Sequence, residues 1–149
     1  MPSRRAAIAM TEPELHRFLA EERLVTVASI GPNGRPHLMP LYYVADGPVI
    51  STWTFGKSQK VKNLERRPQA TLQVEAGEHY HELRGAMLEC DVEIVRDPAR
   101  VAKIGARIAG VPASEIPDAV LQQAPKRVGL VFRPTRVATF DHRKLGSGH

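Results

Sequence analysis

The chain has 149 residues, of which 42% are hydrophobic and 25% are charged, as expected for a single globular domain. No segment approaches the roughly 20 apolar residues that a membrane helix needs. No apolar stretch of signal-peptide length follows the basic start, so we expect a cytoplasmic protein. The single cysteine, Cys90, excludes an intrachain disulfide and a cysteine-based zinc site.

The net charge of +5 points to an anionic partner. Lysine and arginine neutralise phosphates, which makes nucleic acid one candidate. The basic residues are scattered, however, and the chain has no basic helix, zinc-finger spacing or aromatic-rich RNA-binding motif. We therefore expect no specific nucleic-acid partner. An anionic small molecule explains a local basic cluster equally well.

The first elements in the chain are a tail and a helix. Residues 1–10 show no pattern and are expected to form a flexible tail, with residues 11–149 as a single domain. Thr11 and Glu14 have the spacing of a capping box, in which the threonine hydroxyl caps the helix and the glutamate reaches back. The helix is expected to end near Glu22.

A hairpin follows this helix. Residues 24–30 (LVTVASI) predict a strand, and the turn sequence GPNG leads into an antiparallel second strand. Pro36 and Pro40 cannot donate backbone hydrogen bonds, so the second strand is expected at a sheet edge or with a bulge. A turn at Asp46 and Gly47 then introduces a third strand over residues 48–54.

The remaining chain predicts four more strands and a few short helices. Alternation in residues 83–95 places Ala86, Leu88 and Cys90 on one apolar face of a strand. Six or seven mostly antiparallel strands at this spacing indicate a mainly β fold, a β-barrel with a few short helices. The other expected elements are a helix from Ser58 to just before Pro68, a strand at 70–76, a helix from Asp97 to Gly110, a short helix after Ser114, and strands at 127–134 and 136–141.

The common catalytic motifs are absent: the chain has no dinucleotide fingerprint, Walker loop, nucleophile elbow or His-Glu-x-x-His. Cys90 lies on the apolar face of its strand, which favours a buried structural thiol. His79 and His81 could place two imidazoles on one side of an extended segment. No third ligand accompanies them, so we predict no metal site and leave their role open.

The segment TFGKSQKVKNLERRP, residues 54–68, has the composition of a phosphate site. Ser58 stands at the start of a helix that leaves a strand, where free N–H groups and the helix dipole attract an anion. Lys57 and Lys60 add positive charge, and Gly56 permits a close backbone approach. A capped surface helix that happens to be basic is the alternative interpretation of the same residues.

The order of features resembles the split β-barrel superfamily of pyridoxamine 5′-phosphate oxidase-like flavin and deazaflavin proteins. The resemblance covers residues 12–141, and its carriers are FLAEERLVTVASIGPNGRPHLMPLYYV, ISTWTFGKSQKVKNLERRPQATLQVE and ELRGAMLECDVEIV. It implies an FMN-binding split β-barrel. The ending TFDHRKLGSGH lacks the Trp-containing, Arg-Leu-Pro-like ending of the oxidase proper, and its DHRKL portion is similar to the subgroup that uses the deazaflavin F420.

The resemblance also implies the site residues. The Ser/Thr-x-Lys-x-x-Asn-Leu segment lies beside the cofactor phosphate in such proteins, which transfers to Ser58, Lys60 and Asn63 here, flanked by Lys57 and Gln59. The cofactor ring and its ribityl chain would lie along two strands, and two further side chains could reach the substrate. The ring edge is assigned to Pro40, Leu41 and Tyr42, the ribityl side to Ser51, Thr52 and Trp53, and the substrate to Tyr80 and Arg84.

The expected function is therefore an F420-dependent reductase, which transfers a hydride from the reduced deazaflavin to an electron-poor conjugated small molecule. The ring carries the chemistry, so no side chain is nominated as catalytic. The alternatives are an FMN-dependent oxidoreductase of the pyridoxamine phosphate oxidase type and a non-catalytic protein that binds flavin, F420 or haem. The resemblance also implies a homodimer with the cofactor site at the subunit boundary.

Overall fold

The computed structural model describes residues 3–146 as one curled antiparallel sheet with short helices around it. The seven strands lie in the order β2-β1-β5-β6-β7-β4-β3. The strands are β1 (Leu24–Ile30), β2 (Pro36–Tyr42), β3 (Val44–Asp46), β4 (Val49–Phe55), β5 (Gln69–Ala76), β6 (Arg84–Val95) and β7 (Arg127–Asp141); the α-helices are α1 (Arg4–Ile8), α2 (Glu12–Glu21), α3 (Gln59–Arg66), α4 (Pro98–Ile108) and α5 (Asp118–Gln123).

The mainly β split-barrel prediction is confirmed, and so is the position of the proline-rich strand. β2 pairs with β1 in an antiparallel ladder and ends the sheet on that side. Pro40 lies opposite Thr26, where a residue without an N–H costs least because the outer edge of the strand has no neighbouring strand in the sheet. The capping box of α2 is also present, since Thr11 and Glu14 exchange side chain-to-backbone hydrogen bonds.

The core lies inside the curl of the sheet. Alternating residues of the strands face inward, and α2 and α3 cover them with fully buried side chains such as Leu19 and Leu64. A second, smaller cluster lies on the outer face, where α4 packs Val101 and Ala102 against Val95 of β6. The site described below lies at the point where β4 leaves this sheet and α3 begins.

The C-terminal strand differs from the prediction. The sequence predicted two strands, 127–134 and 136–141. The structure has one continuous strand, β7, and Pro134 lies opposite Cys90 beside a register shift between Glu89 and Cys90 of β6. The irregularity absorbs the missing donor, so the ladder continues past the proline.

The N-terminal segment also differs from the flexible tail expected for residues 1–10. Ser3 caps α1 through a hydrogen bond from the Ala6 N–H, and the Met10 N–H donates to the Thr139 hydroxyl at 2.9 Å. A serine followed by several residues that favour a helix is a sufficient local signal for such a short helix. Residues 1–2 and 147–149 lie outside the described part. Within residues 3–146, no helix is long and apolar enough to cross a membrane.

Candidate phosphate and cofactor site

The start of α3 carries a buried hydroxyl that binds nothing within residues 3–146. Ser58 has the extended backbone of an N-cap residue, but its side chain makes no capping hydrogen bond. Its Oγ is shielded from solvent and has no hydrogen-bond partner. The first N–H groups of a helix lack intrahelical acceptors and carry the positive end of the dipole. Ser58 was predicted as the cap, and the structure instead leaves its hydroxyl available to an outside acceptor.

Lys60 lies beside this helix start and is 7% exposed. Its Nζ donates to the Thr54 Oγ1 at 3.0 Å, and none of the ion pairs within residues 3–146 involves it. Burial lowers the pKa of this ammonium, since desolvation disfavours the charged form. A buried cation that meets only a neutral hydroxyl lacks the compensation that such groups normally have, and an anion would supply it.

Two other predicted residues form a chain of hydrogen bonds that leads from α3 to the sheet. Gln59 donates to the Asn63 Oδ1 at 2.8 Å, and the Asn63 amide donates to the Ser29 Oγ of β1 at 3.1 Å. Asn63 is fully buried, so its side chain holds the helix against β1. Both residues also border a pocket of about 530 Å³ with Arg35 and His37. Asn63 thus tethers α3 to β1, and Gln59 holds the Asn63 side chain in place.

β4 separates the three residues that were assigned to the ribityl side. Strand side chains alternate between faces, so Thr52 shares the inner face with Thr54 and Lys60, whereas Ser51 and Trp53 point to the other face. Thr52 is fully buried and its Oγ1 has no partner. Trp53 belongs to the cluster under α4. Of the three, the structure brings Thr52 alone to the inner face that carries Lys60.

The edge strand β2 presents the residues assigned to the ring. Leu41 packs partly against the main core, while Pro40 and Tyr42 are exposed, Tyr42 by 62%. On the same face as Leu41, His37 has a buried Nδ1 without a partner. β2 also comes close to β4, which places the residues assigned to the ring beside the strand that carries Thr52.

A basic cleft of about 630 Å³ opens on the other side of the α3 start. Lys57 is exposed there and takes part in none of the ion pairs among the described residues. A Cβ on Gly56 would meet the Val128 side chain at an ordinary 3.5 Å, so the fold does not demand a glycine at this position. The cleft is lined by Phe55, Gly56, Lys57, Arg96, Lys126 and Arg127, with Pro125 and Val128.

The two predicted substrate residues lie far from this helix start within one chain. Arg84 pairs with Asp141 at one end of the β6–β7 ladder, whereas Val95 and Gly129 pair at the other end, close to the start of α3. At about 3.3 Å per residue, the ends are roughly 35 Å apart along the strand. Arg84 forms an ion pair with Glu21 at 3.4 Å. Tyr80 is 57% exposed and contacts the His142 ring.

The DHRKL segment anchors the N-terminal helices. Asp141 is buried and accepts hydrogen bonds from the Arg143 guanidinium at 3.0 and 2.9 Å. Lys144 binds the Glu14 carboxylate at 2.7 Å, a contact that lowers the pKa of Glu14 to about 2. Arg143 is thus neutralised by its own neighbour. Its charge therefore has a structural partner within the chain.

The remaining candidates hold no second site. Cys90 is buried, and burial raises the pKa of its thiol to about 12, so it has the properties of a structural thiol. Among residues 3–146, no three His, Cys, Asp or Glu side chains are close enough to form a metal site. Thr54, which binds Lys60, was not among the predicted site residues. Strand alternation from Thr52 would have placed Thr54 on the same face.

The structure is similar to known structures along its whole length. The conserved hypothetical protein Rv2991 from Mycobacterium tuberculosis superposes with a TM-score of 0.89 and 37% sequence identity, covering 99% of this chain and 95% of that one. No functionally curated protein matches the chain.

More distant structures share the fold. A protein described as an F420 reductase has a TM-score of 0.64 and 24% identity over 82% of this chain and 94% of its own. HutZ, the haem storage protein from Vibrio cholerae, has a TM-score of 0.63 and 17% identity over 87% of this chain and 96% of its own. The model of the family described as pyridoxamine 5′-phosphate oxidase matches residues 11–141. The chain therefore belongs to the pyridoxamine 5′-phosphate oxidase family.

Proposed function

We propose that the protein is an F420-dependent reductase, which reduces an electron-poor conjugated small molecule with the reduced deazaflavin as hydride donor. The observation that carries this proposal is the buried ammonium of Lys60, which has a neutral hydroxyl as its hydrogen-bond partner. The unpartnered Ser58 Oγ lies at the start of the same helix. Together they form a set of donors suited to a phosphate.

The donors fit a phosphate monoester or diester. Lys60 would supply charge, Ser58 a directed hydroxyl and the first turn of α3 its free N–H groups. Thr52 offers a second unpartnered hydroxyl on the same inner face, suited to the polyol that joins phosphate and ring. The backbone of Pro40, Leu41 and Tyr42 would flank the ring. Gln59 and Asn63 would hold the helix in position rather than carry charge.

The deazaflavin, when bound, supplies the hydride chemistry. The chain itself binds and orients the group and shields one face from water. On the inner face near Lys60, the neighbouring polar side chains of β4 are the hydroxyls of Thr52 and Thr54, which are poor acids. These hydroxyls lie at the phosphate end, and we assign no general acid.

FMN is the second candidate cofactor, because the same phosphate donors serve both ligands. A binding protein without turnover is the third. The fold is shared with a haem storage protein, so the architecture supports binding without a reaction. These candidates differ in what they bind and in whether the ligand is consumed.

The test follows from that difference. The purified protein is titrated separately with F420 and FMN while cofactor fluorescence is recorded, and then reduced F420 is mixed with quinones, enones and tetrapyrroles. The proposal predicts tighter binding of F420 and protein-dependent oxidation of reduced F420 by at least one acceptor. Tighter binding of FMN would favour the flavin alternative, and F420 binding without any oxidation would favour the binding protein.

We also propose a homodimer with the site at the subunit boundary. β2 is exposed on both faces and carries large apolar side chains: Leu38 is 61% exposed, Met39 41% and Tyr42 62%. An edge strand of this kind invites a partner. A second copy would cover the strand that is assigned to the ring. It would also offer a route by which the distant Tyr80 and Arg84 reach a site in the other subunit.

A further inference from the structure

A histidine of the edge strand lies beside α3 with one ring nitrogen unpartnered. His37 pairs with Ser29 across the β1–β2 ladder, and directly opposite residues of an antiparallel pair share one face of the sheet. Ser29 is buried and accepts a hydrogen bond from the Asn63 amide of α3 at 3.1 Å, so the imidazole lies on the inner face near this helix. Its Nδ1 is shielded from solvent and has no hydrogen-bond partner within residues 3–146.

The amides next to this ring are engaged with each other. The Asn63 Oδ1 accepts from Gln59 at 2.8 Å, while the amide nitrogen of Asn63 donates to Ser29. A buried polar atom without a partner costs free energy, and a ligand atom that binds it removes that cost. The Nδ1 of His37 is therefore suited to an acceptor that comes from outside the chain.

The pocket beside the ring, of about 530 Å³, contains bases and no acid. Its ionisable side chains are Arg35 and His37, and no carboxylate lines it among the described residues. β1 and β4, the strands that contact β2, contain no ionisable side chain, and Tyr42 lies at the other end of β2. An anion that enters this pocket therefore meets positive charge and no competing carboxylate.

The helix that borders the pocket adds three cations and one acid. These are Lys60, Lys62, Arg66 and Glu65. The acid is already neutralised, since Glu65 forms an ion pair with Arg96 at 2.7 Å. The Arg66 guanidinium donates to the Ile30 carbonyl at 2.6 Å, next to Ser29 in β1. The charged groups that face the pocket from α3 thus also favour an anion.

The pocket adjoins the phosphate site proposed above. Gln59 lines it and directly follows Ser58 in the chain. Lys60, the next residue, contacts Thr54 of β4 instead. The first turn of α3, with its free N–H groups, therefore has the His37 pocket on one flank and the buried ammonium on the other.

We propose that His37 binds the phosphate of the cofactor as an imidazolium, so that binding takes up a proton from solvent, an inference that rests on the proposed function. An anion within hydrogen-bond distance stabilises the charged form of an imidazole, and histidine is the side chain whose charge changes near neutral pH. Because the protonated form binds more tightly, the affinity is highest in mild acid and falls as the pH rises through the neutral range.

The first experiment uses the wild-type protein without any cofactor. Sulfate is the probe, because its charge does not change over the neutral range. The ring C–H signals of His37 and His16 are followed by proton NMR against pH, in sulfate and in chloride at equal ionic strength. In sulfate, His37 should stay protonated to a pH that is higher by about half a unit or more, whereas His16 on α2 should titrate alike in both salts. No change at His37, or equal changes at both histidines, would overturn the inference.

The second experiment measures F420 affinity by fluorescence titration at about pH 6, 7 and 8. It compares the wild type with His37→Gln, which keeps a polar side chain without a titratable charge, and with His16→Gln as control. Ionisations of the ligand are common to all three proteins and cancel in the ratio of their affinities. The advantage of the wild type over His37→Gln should fall about fivefold to tenfold from the lowest to the highest pH. His16→Gln should follow the wild type, and a constant advantage over His37→Gln would overturn the inference.

Lys60→Ala separates this inference from the proposed function. If Lys60→Ala weakens F420 binding while the advantage over His37→Gln does not change with pH, the role of His37 is refuted and the phosphate site stands. If F420 does not bind at any pH while sulfate keeps His37 protonated, the anion site at His37 is supported and the proposed function fails. A sulfate effect on His37 that is unchanged in Lys60→Ala would refute a single phosphate shared by the two residues.

Discussion

The Nζ of Lys60 lies 3.0 Å from the Oγ1 of Thr54, and this contact joins a buried ammonium on α3 to a neutral hydroxyl on β4. Lysine is seldom buried without a carboxylate partner, because the loss of hydration is then not compensated. Such an arrangement costs stability in the free protein and is retained where a bound anion supplies the missing charge.

Replacement of Lys60 by methionine should therefore separate stability from binding. Burial lowers the pKa of Lys60, so the charged form is less favourable in the folded state than in the unfolded state, and the cost is present at pH values below the usual lysine pKa. We expect Lys60→Met to raise the free energy of unfolding by ~1 kcal/mol, or ~3 °C in Tm, at pH 7. Thermal unfolding by circular dichroism measures this. The exposed Lys62→Met is the control, and a fall in Tm for Lys60→Met alone would contradict the interpretation.

Salt should distinguish the two candidate cofactors. F420 carries a phosphate and several carboxylates on one arm, whereas FMN ends at its phosphate. More exposed charge pairs are screened for F420 at ~0.15 M ionic strength, where the Debye length is about 8 Å. We expect its affinity to fall more steeply with salt, and Lys57→Ala to flatten that slope while hardly changing the slope for FMN. Parallel slopes for both ligands would mean that the carboxylate arm of F420 makes no contact with Lys57.

The oligomeric state tests the exposed β2 edge. Light scattering at micromolar concentration should give twice the 16.5 kDa mass of one chain. Leu38 and Tyr42 are each more than half exposed in the single chain, so Leu38→Lys and Tyr42→Lys should shift the equilibrium toward the monomer by placing charge in an apolar contact. Leu121→Lys changes an exposed leucine on α5 and should leave the mass unchanged. A monomeric wild-type protein would refute the dimer.

Asp141 and Arg143 should contribute to the response to acid. The Arg143 hydrogen bonds hold the pKa of Asp141 below its usual range. The stabilisation is complete above the unfolded pKa of about 3.9 and is lost as pH falls through the lower folded value. We expect Asp141→Asn to cost ~1–2 kcal/mol at pH 7, and the difference from the wild type to shrink below about pH 4. Urea unfolding across pH measures it, with the exposed Asp91→Asn as control. A difference that persists unchanged at pH 2.5 would argue against the charged pair.

The packing of α4 on Trp53 should be sensitive to a single methyl group. A Cβ at Gly105 would lie 2.5 Å from the Trp53 ring, whereas one at Gly56 would meet its nearest side chain at 3.5 Å. We therefore expect Gly105→Ala to destabilise the protein by ~1–3 kcal/mol through overpacking and Gly56→Ala to change stability little. Neither glycine has a positive φ, so backbone strain does not enter the comparison. Equal effects on Tm would contradict this account of the interface.

Much of the fold could be predicted because its signals are local. The alternation in β6, the turn between β1 and β2, the prolines of the edge strand and the capping box at Thr11 each act over a few residues. The continuous β7 could not be predicted this way. Pro134 does not end the strand because Thr135, the next residue of β7, has no opposite residue where Glu89 pairs with Arg136 and Cys90 with Pro134. This irregularity is a property of the paired sheet.

The site was predictable in part. Ser58 and Lys60 follow from composition at a helix start, and the structure places both there. The assignment of Ser51 and Trp53 beside Thr52 ignored the period of two in a strand, which puts them on the opposite face. Arg143 pairs with Asp141, only two residues away. The net positive charge of the chain had instead suggested an anionic ligand. Distant pairings such as Arg84 with Glu21 depend on the completed fold.

The affinity for F420 of the wild type, Lys60→Ala and Lys62→Ala tests the central claim most directly. Both lysines lie on α3, but Lys60 is buried at the helix start and Lys62 is exposed. Fluorescence titration should show a loss of ~1.5–3 kcal/mol for Lys60→Ala, because a charge-assisted contact to phosphate disappears, and little change for Lys62→Ala. Equal and small effects of the two substitutions would contradict a phosphate site at the start of α3.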